Sequence, residues 1–300
     1  MNDIKQQWLD AIGYPAEEIV PEPMTLVARY DEPEFDAELY LQPNGKGTAQ
    51  RVLMAFPKNL KAPCPAVVVP FYYPEAMLGY DPATGEVFPG FQKLTMMLDL
   101  VRRGYGVASA DAYHLTYMES QRGWDDFQRW QEASEKLRRD HPNWTGMGKL
   151  ISDTRLLTDA LADDPRVDAA RIGIAGHSLG GKMAFYAGCL DPRIRVILAS
   201  DFGIRWEQSN WKSNWYWAEK VDSLTARGMD HAQLLGCAAP KPFCLLAGEF
   251  DNMDSWKMMC RAPGYAPGDG RLKIVNHATG HRPTKEALEA GYDFLDRWLK

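Results

Sequence analysis

The chain contains no apolar run long enough to span a bilayer. Its opening residues, Met1 to Asp10, lack the basic start and apolar stretch of a secretory leader. A cytoplasmic location is the expectation, and a chain whose leader had already been removed would read the same. Cysteine is scarce: Cys64, Cys189, Cys237, Cys244 and Cys260 make an odd number with no metal-type spacing. Cys64, Cys189 and Cys244 sit in apolar surroundings and are expected as reduced core residues. Neither a metal nor a cofactor is expected. Positive charge is in deficit, with 34 Lys and Arg against 40 Asp and Glu. The charges are scattered, which argues against a nucleic-acid partner or an anionic membrane surface. Repeats and interdomain linkers are also missing, so the 300 residues are expected to form a single domain.

What is present is a succession of short apolar runs separated by amphipathic stretches. After a short helix (Ile4, Trp8, Leu9, Ile12) and a Pro-rich connection, three segments read as antiparallel strands: Thr25–Tyr30, Phe35–Leu41 and Gln50–Phe56. From there the strands become short, apolar and separated by helices. Pro65–Val69, Tyr105–Ala110, Arg195–Ser200, Pro242–Ala247 and Leu272–Asn276 fit strands buried on both faces. Between them, Phe91–Arg103, residues 124–140 (Trp124, Phe127 and Trp130 on one face), Leu150–Asp163 and Glu286–Leu299 read as helices. The fold class is α/β, with a mostly parallel central sheet, helices on both faces and an antiparallel N-terminal start.

One stretch carries chemistry openly: Arg171-Ile-Gly-Ile-Ala-Gly-His-Ser-Leu-Gly-Gly181. A buried strand runs into Gly176, and helical composition follows from Lys182 to Leu190. Gly176-His-Ser-Leu-Gly180 has the G-x-S-x-G pattern of a nucleophile elbow, a strained corner that exposes a serine beside a helix N-terminus. The glycines are needed because a Cβ there would meet the neighbouring strand or helix. A serine hydroxyl needs a base, and a base needs an acid to orient it. In open α/β sheets such groups gather beyond the carboxyl ends of the strands. Asp251 follows the Pro242–Ala247 strand and His281 follows Leu272–Asn276, so Ser178, Asp251 and His281 are the expected triad. Asp201 at the end of the preceding strand, and Glu249 and Asp254 beside Asp251, are rival acids. His277 is the rival base. The oxyanion hole is expected from the amide of Leu179, after the nucleophile, and from the loop after Val67–Val69, with Tyr72 favoured.

Several stretches together resemble the dienelactone hydrolase and acetyl xylan esterase-like branch of the α/β-hydrolase superfamily. They are Val67-Val-Val-Pro-Phe-Tyr72, Arg103-Gly-Tyr-Gly-Val107, Asp164-Pro-Arg-Val-Asp168, Ile172–Gly181, Ala239-Pro-Lys-Pro242 and Gly280-His281. The resemblance runs from about Pro63 to the C-terminus. It implies an α/β-hydrolase fold, with the family's nucleophile, acid and base at Ser178, Asp251 and His281. Two departures stand out. A serine occupies the position where dienelactone hydrolases proper use cysteine, which points to the esterase side. Pro70-Phe71 replaces the usual His-Gly before the oxyanion residue.

The segment Phe202–Trp217 holds Trp206, Trp211, Trp215 and Trp217 among Asn and Ser. Residues 202–238 fall where related folds carry a cap or pocket wall. Flat aromatic faces with amide donors suit a sugar ring or an aromatic ester, so these four tryptophans and Tyr113 are candidate substrate contacts. The same residues could equally pack an irregular excursion against the sheet. The expected function is a serine ester hydrolase on a small-molecule or carbohydrate ester. The alternatives are an acyl-aminoacyl or oligopeptide hydrolase, and a non-catalytic binding protein with a decayed elbow.

Overall fold

The computed structural model describes residues 2–13, 22–45, 47–58, 60, 63–88, 90–118, 127–266 and 268–300. In chain order they form α1 (Asn2–Ile12), β1 (Thr25–Asp31), β2 (Phe35–Gly45), β3 (Thr48–Pro57), β4 (Cys64–Val68), α2 (Pro74–Leu78) and α3 (Met96–Arg102). Next come β5 (Gly106–Ala110), α4 (Tyr113–Thr116), α5 (Phe127–Asp140), α6 (Gly146–Asp163), β6 (Val167–His177) and α7 (Leu179–Leu190). The chain ends with β7 (Ile194–Ser200), α8 (Lys220–Ala226), α9 (His231–Ala238), β8 (Phe243–Ala247), α10 (Met253–Met259), β9 (Leu272–Asn276) and α11 (Lys285–Leu299). The nine strands make one sheet in the order β1-β2-β3-β5-β4-β6-β7-β8-β9. β1, β2 and β3 are antiparallel, β3 meets β5 antiparallel, and every pair from β5 to β9 is parallel.

Both faces of the parallel region are buried, which is why its strands read as unbroken apolar runs. Alternate side chains go to opposite cores. Ala66, Val68, Ile172, Ile174, Ile197, Phe243 and Leu245 face α6, α7 and α9, whereas Val67, Val69, Ala175, Val196, Leu198, Cys244 and Leu246 face α3 and α11. Cys64, Cys189 and Cys244 are buried free thiols, as expected.

Two helix starts differ from the sequence reading. α3 starts at Met96, not Phe91, because Phe91 and Leu94 are taken up by successive turns with Phe88 and Phe91. α6 starts at Gly146, not Leu150. Thr145 caps it by accepting the Gly148 N–H at 2.9 Å, and its hydroxyl donates to Ile12 O at 2.6 Å. The two glycines of that first turn, poor helix formers in general, are there for close approach: a Cβ on Gly148 would lie 2.6 Å from Ile12 O, and one on Gly146 2.0 Å from Trp215 O. α5 is described from Phe127, and Trp124 lies outside the described residues.

Because β4 to β9 run parallel, their carboxyl ends share one edge of the sheet. The loops that leave that edge carry Pro70–Tyr72, Ser178, Asp201, Gly248–Asp251 and His281. Among the described residues no helix is long and apolar enough to cross a membrane.

Candidate active site

Ser178 sits between β6 and α7 with φ 54° and ψ −114°, a strained conformation for a residue with a side chain. The glycines around it permit the close approaches of this corner. A Cβ on Gly176 would stand 2.2 Å from Gly180 O, and one on Gly180 would stand 2.1 Å from Pro70 O. The second contact also presses the Pro70–Tyr72 loop onto the start of α7. There the first helical amides, that of Leu179 included, have no partner within the helix. The Tyr72 carbonyl accepts the Ala112 N–H at 2.9 Å, which ties this loop to the end of β5.

His281 Nε2 lies 2.9 Å from Ser178 Oγ, and His281 Nδ1 lies 2.8 Å from Asp201 Oδ2. A carboxylate facing Nδ1 can only accept, so Nδ1 carries the ring proton and Nε2 is left to accept the serine proton. His277, the rival base, is occupied elsewhere: its Nδ1 is hydrogen-bonded to Thr279 Oγ1 at 2.9 Å, and its ring packs where a Cβ on Gly248 would fall.

The acid is a correction. The sequence reading put Asp251 against the histidine, and the structure puts Asp201 there. Asp201 is fully buried, and its Oδ1 accepts the N–H groups of Gly248 (3.0 Å), Phe250 (3.0 Å) and Asp251 (2.9 Å). Its Oδ2 accepts Glu249 N–H at 3.1 Å as well as His281. Burial pushes its carboxyl upward, but the hydrogen bonds from His281 and from the Asp251 and Glu249 amides outweigh that and hold it below the usual carboxylate range. Asp251 is also fully buried but faces the other way. It accepts the N–H groups of Gly203 and Ile204, each at 2.8 Å, and the Ser255 hydroxyl at 2.9 Å. Burial dominates at Asp251 and raises its carboxyl. Glu249 and Asp254, the other rivals, contribute an amide to Asp201 and an exposed ion pair with Lys257, respectively.

His177, inside the elbow, shares a 3.0 Å hydrogen bond with Ser200 Oγ through Nδ1, and its ring packs 4.5 Å from that of His281. Burial, reinforced by the neighbouring His281, pushes its imidazole well below the ordinary value, so it stays neutral. Lys182, one helical turn past the serine, is buried. Its Nζ donates to Phe202 O and Ser209 Oγ, both at 2.8 Å, and lies 4.5 Å from the centre of the Trp211 ring. Apolar neighbours on the sequence side gave no hint of this partner set, which comes from a distant loop.

The tryptophan-rich segment is also corrected in part. Trp211, Trp217 and Tyr113 are at most 1% exposed and are core residues, not a pocket wall. Trp211 Nε1 donates to Gly203 O at 2.7 Å, Tyr113 donates to Trp215 O at 3.1 Å, and Trp217 packs against Trp8, Tyr186 and Trp206. Trp206 is half-buried, donates to Met229 O at 3.0 Å and lies 4.1 Å from the His231 ring. Trp215 is half-buried and stacks on the exposed Phe127 at 5.7 Å. What the sequence did not disclose is that helix α1 supplies the floor of this cluster through Trp8. Among the described residues no group of three or more His, Cys, Asp or Glu is arranged to hold a metal ion.

No known protein-family profile matches the sequence. A curated relative, "Putative hydrolase YtaP" of Bacillus subtilis (strain 168), is 26% identical over 260 residues, which is 81% of each chain. Among solved structures, a glucuronoyl esterase from Solibacter usitatus superposes with a TM-score of 0.68 at 14% identity, covering 98% of this chain and 91% of that one. An acetyl xylan esterase from Paenibacillus sp. R4 superposes with a TM-score of 0.63 at 17% identity, covering 100% of this chain and 95% of the other. Strand order, the serine corner between β6 and α7, and these superpositions agree: the chain has the α/β-hydrolase fold.

Proposed function

We propose that this chain is a serine-dependent carboxylic ester hydrolase that works through an acyl-enzyme and acts on an ester carried by a carbohydrate. The observation that carries the reading is the continuous set of hydrogen bonds from Ser178 Oγ through the His281 ring to the buried Asp201 carboxylate. In this mechanism His281 Nε2 takes the serine proton as Oγ bonds to the ester carbonyl carbon, and Asp201 stabilises the imidazolium that results. The carbonyl oxygen becomes an oxyanion, for which the amides of Leu179 and Tyr72 are the proposed donors. Collapse expels the alcohol, which receives the proton from His281. A water molecule, deprotonated by the same nitrogen, then releases the acid and restores the serine.

The carbohydrate ester is supported by the structural neighbours, a glucuronoyl esterase and an acetyl xylan esterase, and not by the buried tryptophans. In p-nitrophenyl acetate hydrolysis, Ser178→Ala is expected to lose kcat by a factor on the order of 10⁶, the scale known for nucleophile knockouts in a serine protease. A fluorophosphonate is expected to label Ser178 stoichiometrically. Turnover by the alanine variant at the wild-type rate would refute the mechanism. A panel of acetylated sugars, glucuronoyl esters and simple alkyl esters tests the substrate: simple esters cleaved far better than both sugar classes would refute the carbohydrate assignment.

A further inference from the structure

The catalytic reading above depends on one four-residue turn, Asp201–Ile204, at the end of β7. Asp201 is in the left-handed region at φ 41°, and Gly203 follows at φ 72°. A left-handed residue with a side chain is strained and persists only where its surroundings over-determine it. Here they do. Asp201 N–H donates to Leu246 O at 2.8 Å, Phe202 O accepts Lys182 Nζ at 2.8 Å, and Gly203 O accepts Trp211 Nε1 at 2.7 Å. Ile204 O accepts the His231 Nδ1–H. The amides of Gly203 and Ile204 both go to Asp251.

Asp251 differs from the other holders of this turn. It makes two hydrogen bonds to the turn where each of the others makes one, and it accepts both with the two oxygens of one carboxylate. Its own position is set from two sides: its N–H donates to Asp201 Oδ1 at 2.9 Å, and Ser255 Oγ donates to its carboxylate at 2.9 Å. The loops after β7 and β8 are therefore cross-braced. Asp201 receives four amides of the β8 loop, and Asp251 receives two amides of the β7 loop. Relaxation of the 201–204 turn would rotate the Asp201 carboxylate off His281 Nδ1.

Resting on the esterase reading, we propose that Asp251 is a positioning residue, which holds the Asp201 turn in its left-handed form and so aims the Asp201 carboxylate at His281. Asparagine in its place keeps one acceptor and turns an NH2 toward the second amide, so one of the two bonds is lost with little change in volume. In the full chain, Asp251→Asn is expected to lower kcat on p-nitrophenyl acetate about ten- to hundred-fold, the penalty of a small misplacement. KM should stay within about twofold, and Ser178 labelling by a fluorophosphonate should slow by the same factor as kcat. The downfield proton resonance of His281 Nδ1–H should weaken or move upfield when recorded well below the melting temperature. A contact that only stabilises the fold would leave that resonance in place.

Ser255→Ala, which removes one donor to Asp251, is the milder variant, with a loss of roughly two- to tenfold in kcat in the same direction. A folded Asp251→Asn with an unchanged resonance overturns the proposal, whatever its kcat. If Asp251→Asn does not fold, Ser255→Ala decides: wild-type kcat and resonance overturn the proposal, and a shifted resonance with reduced kcat supports it. Turnover by Ser178→Ala would overturn the esterase reading instead, and the resonance would still judge Asp251.

Discussion

Replacing Asp201 by asparagine changes the proton on His281 more than it changes the shape of the site. In the native chain Asp201 Oδ1 faces three backbone amides, while Oδ2 faces Glu249 N–H and His281 Nδ1–H. An asparagine will keep its oxygen on the three-amide side, because an NH2 there would meet three donors. Its nitrogen then faces His281 and donates to Nδ1. The ring proton moves to Nε2, and Nε2 can no longer accept the proton of Ser178 Oγ. In a serine protease the equivalent change costs about 10⁴ in kcat while leaving the geometry intact. The same loss, about 5.5 kcal/mol of transition-state stabilisation, is expected here on p-nitrophenyl acetate at pH 7, with KM little changed. Asp251→Asn, measured beside it, should lose no more than about a hundredfold. The ordering is the sharp result. An Asp201→Asn enzyme within tenfold of wild type, or one more active than Asp251→Asn, would refute the assignment of Asp201 as the acid.

Two further outcomes follow from the packing around the site. His231 donates from Nδ1 to Ile204 O and accepts the Tyr186 hydroxyl on Nε2 at 2.6 Å, so it must be neutral in the fold; burial pushes its imidazole down to about 3. The unfolded chain binds this proton near pH 6.5 and the folded chain does not, so the stability it contributes is present above about 6.5 and is lost as pH falls toward 3. Between pH 6.5 and 5, urea unfolding should show wild type losing up to about 2 kcal/mol more than His231→Phe, and parallel profiles would contradict this. Trp211 is fully buried and Trp215 half-buried on Phe127, so Trp211→Ala should cost about 3–5 kcal/mol in denaturant unfolding. Trp215→Ala should cost well under half of that, and equal losses would show that the burial argument fails.

Much of this site was legible in the sequence because its signals are local. Gly176-His-Ser-Leu-Gly180 joins a strand to a helix within a few residues, and the close approaches that demand its glycines lie within that corner and against the adjoining Pro70 loop. His281 follows the last strand and a glycine, and the parallel sheet brings every such strand end to one edge. The buried strands announced themselves as apolar runs because helices cover both faces. The first turn of α6 was missed because Gly146 and Gly148 look like helix breakers until Ile12 and Trp215 are seen pressed against them. The tryptophans were ambiguous for a related reason. Composition marks Phe202–Trp217 as aromatic, but an irregular segment has no period from which to tell an inward ring from an outward one.

The α/β class, and the serine and histidine that meet at the strand ends, follow from local patterns along the chain. The carboxylate that joins them is selected by packing between distant loops. Asp201 and Asp251 both lie just past the ends of neighbouring parallel strands, β7 and β8, about 4.8 Å apart, so chain order alone suits either. The choice is made by a left-handed turn at Asp201 and by amides donated from the opposite loop, in both directions. Those hydrogen bonds join residues nearly fifty positions apart, and no local pattern records them.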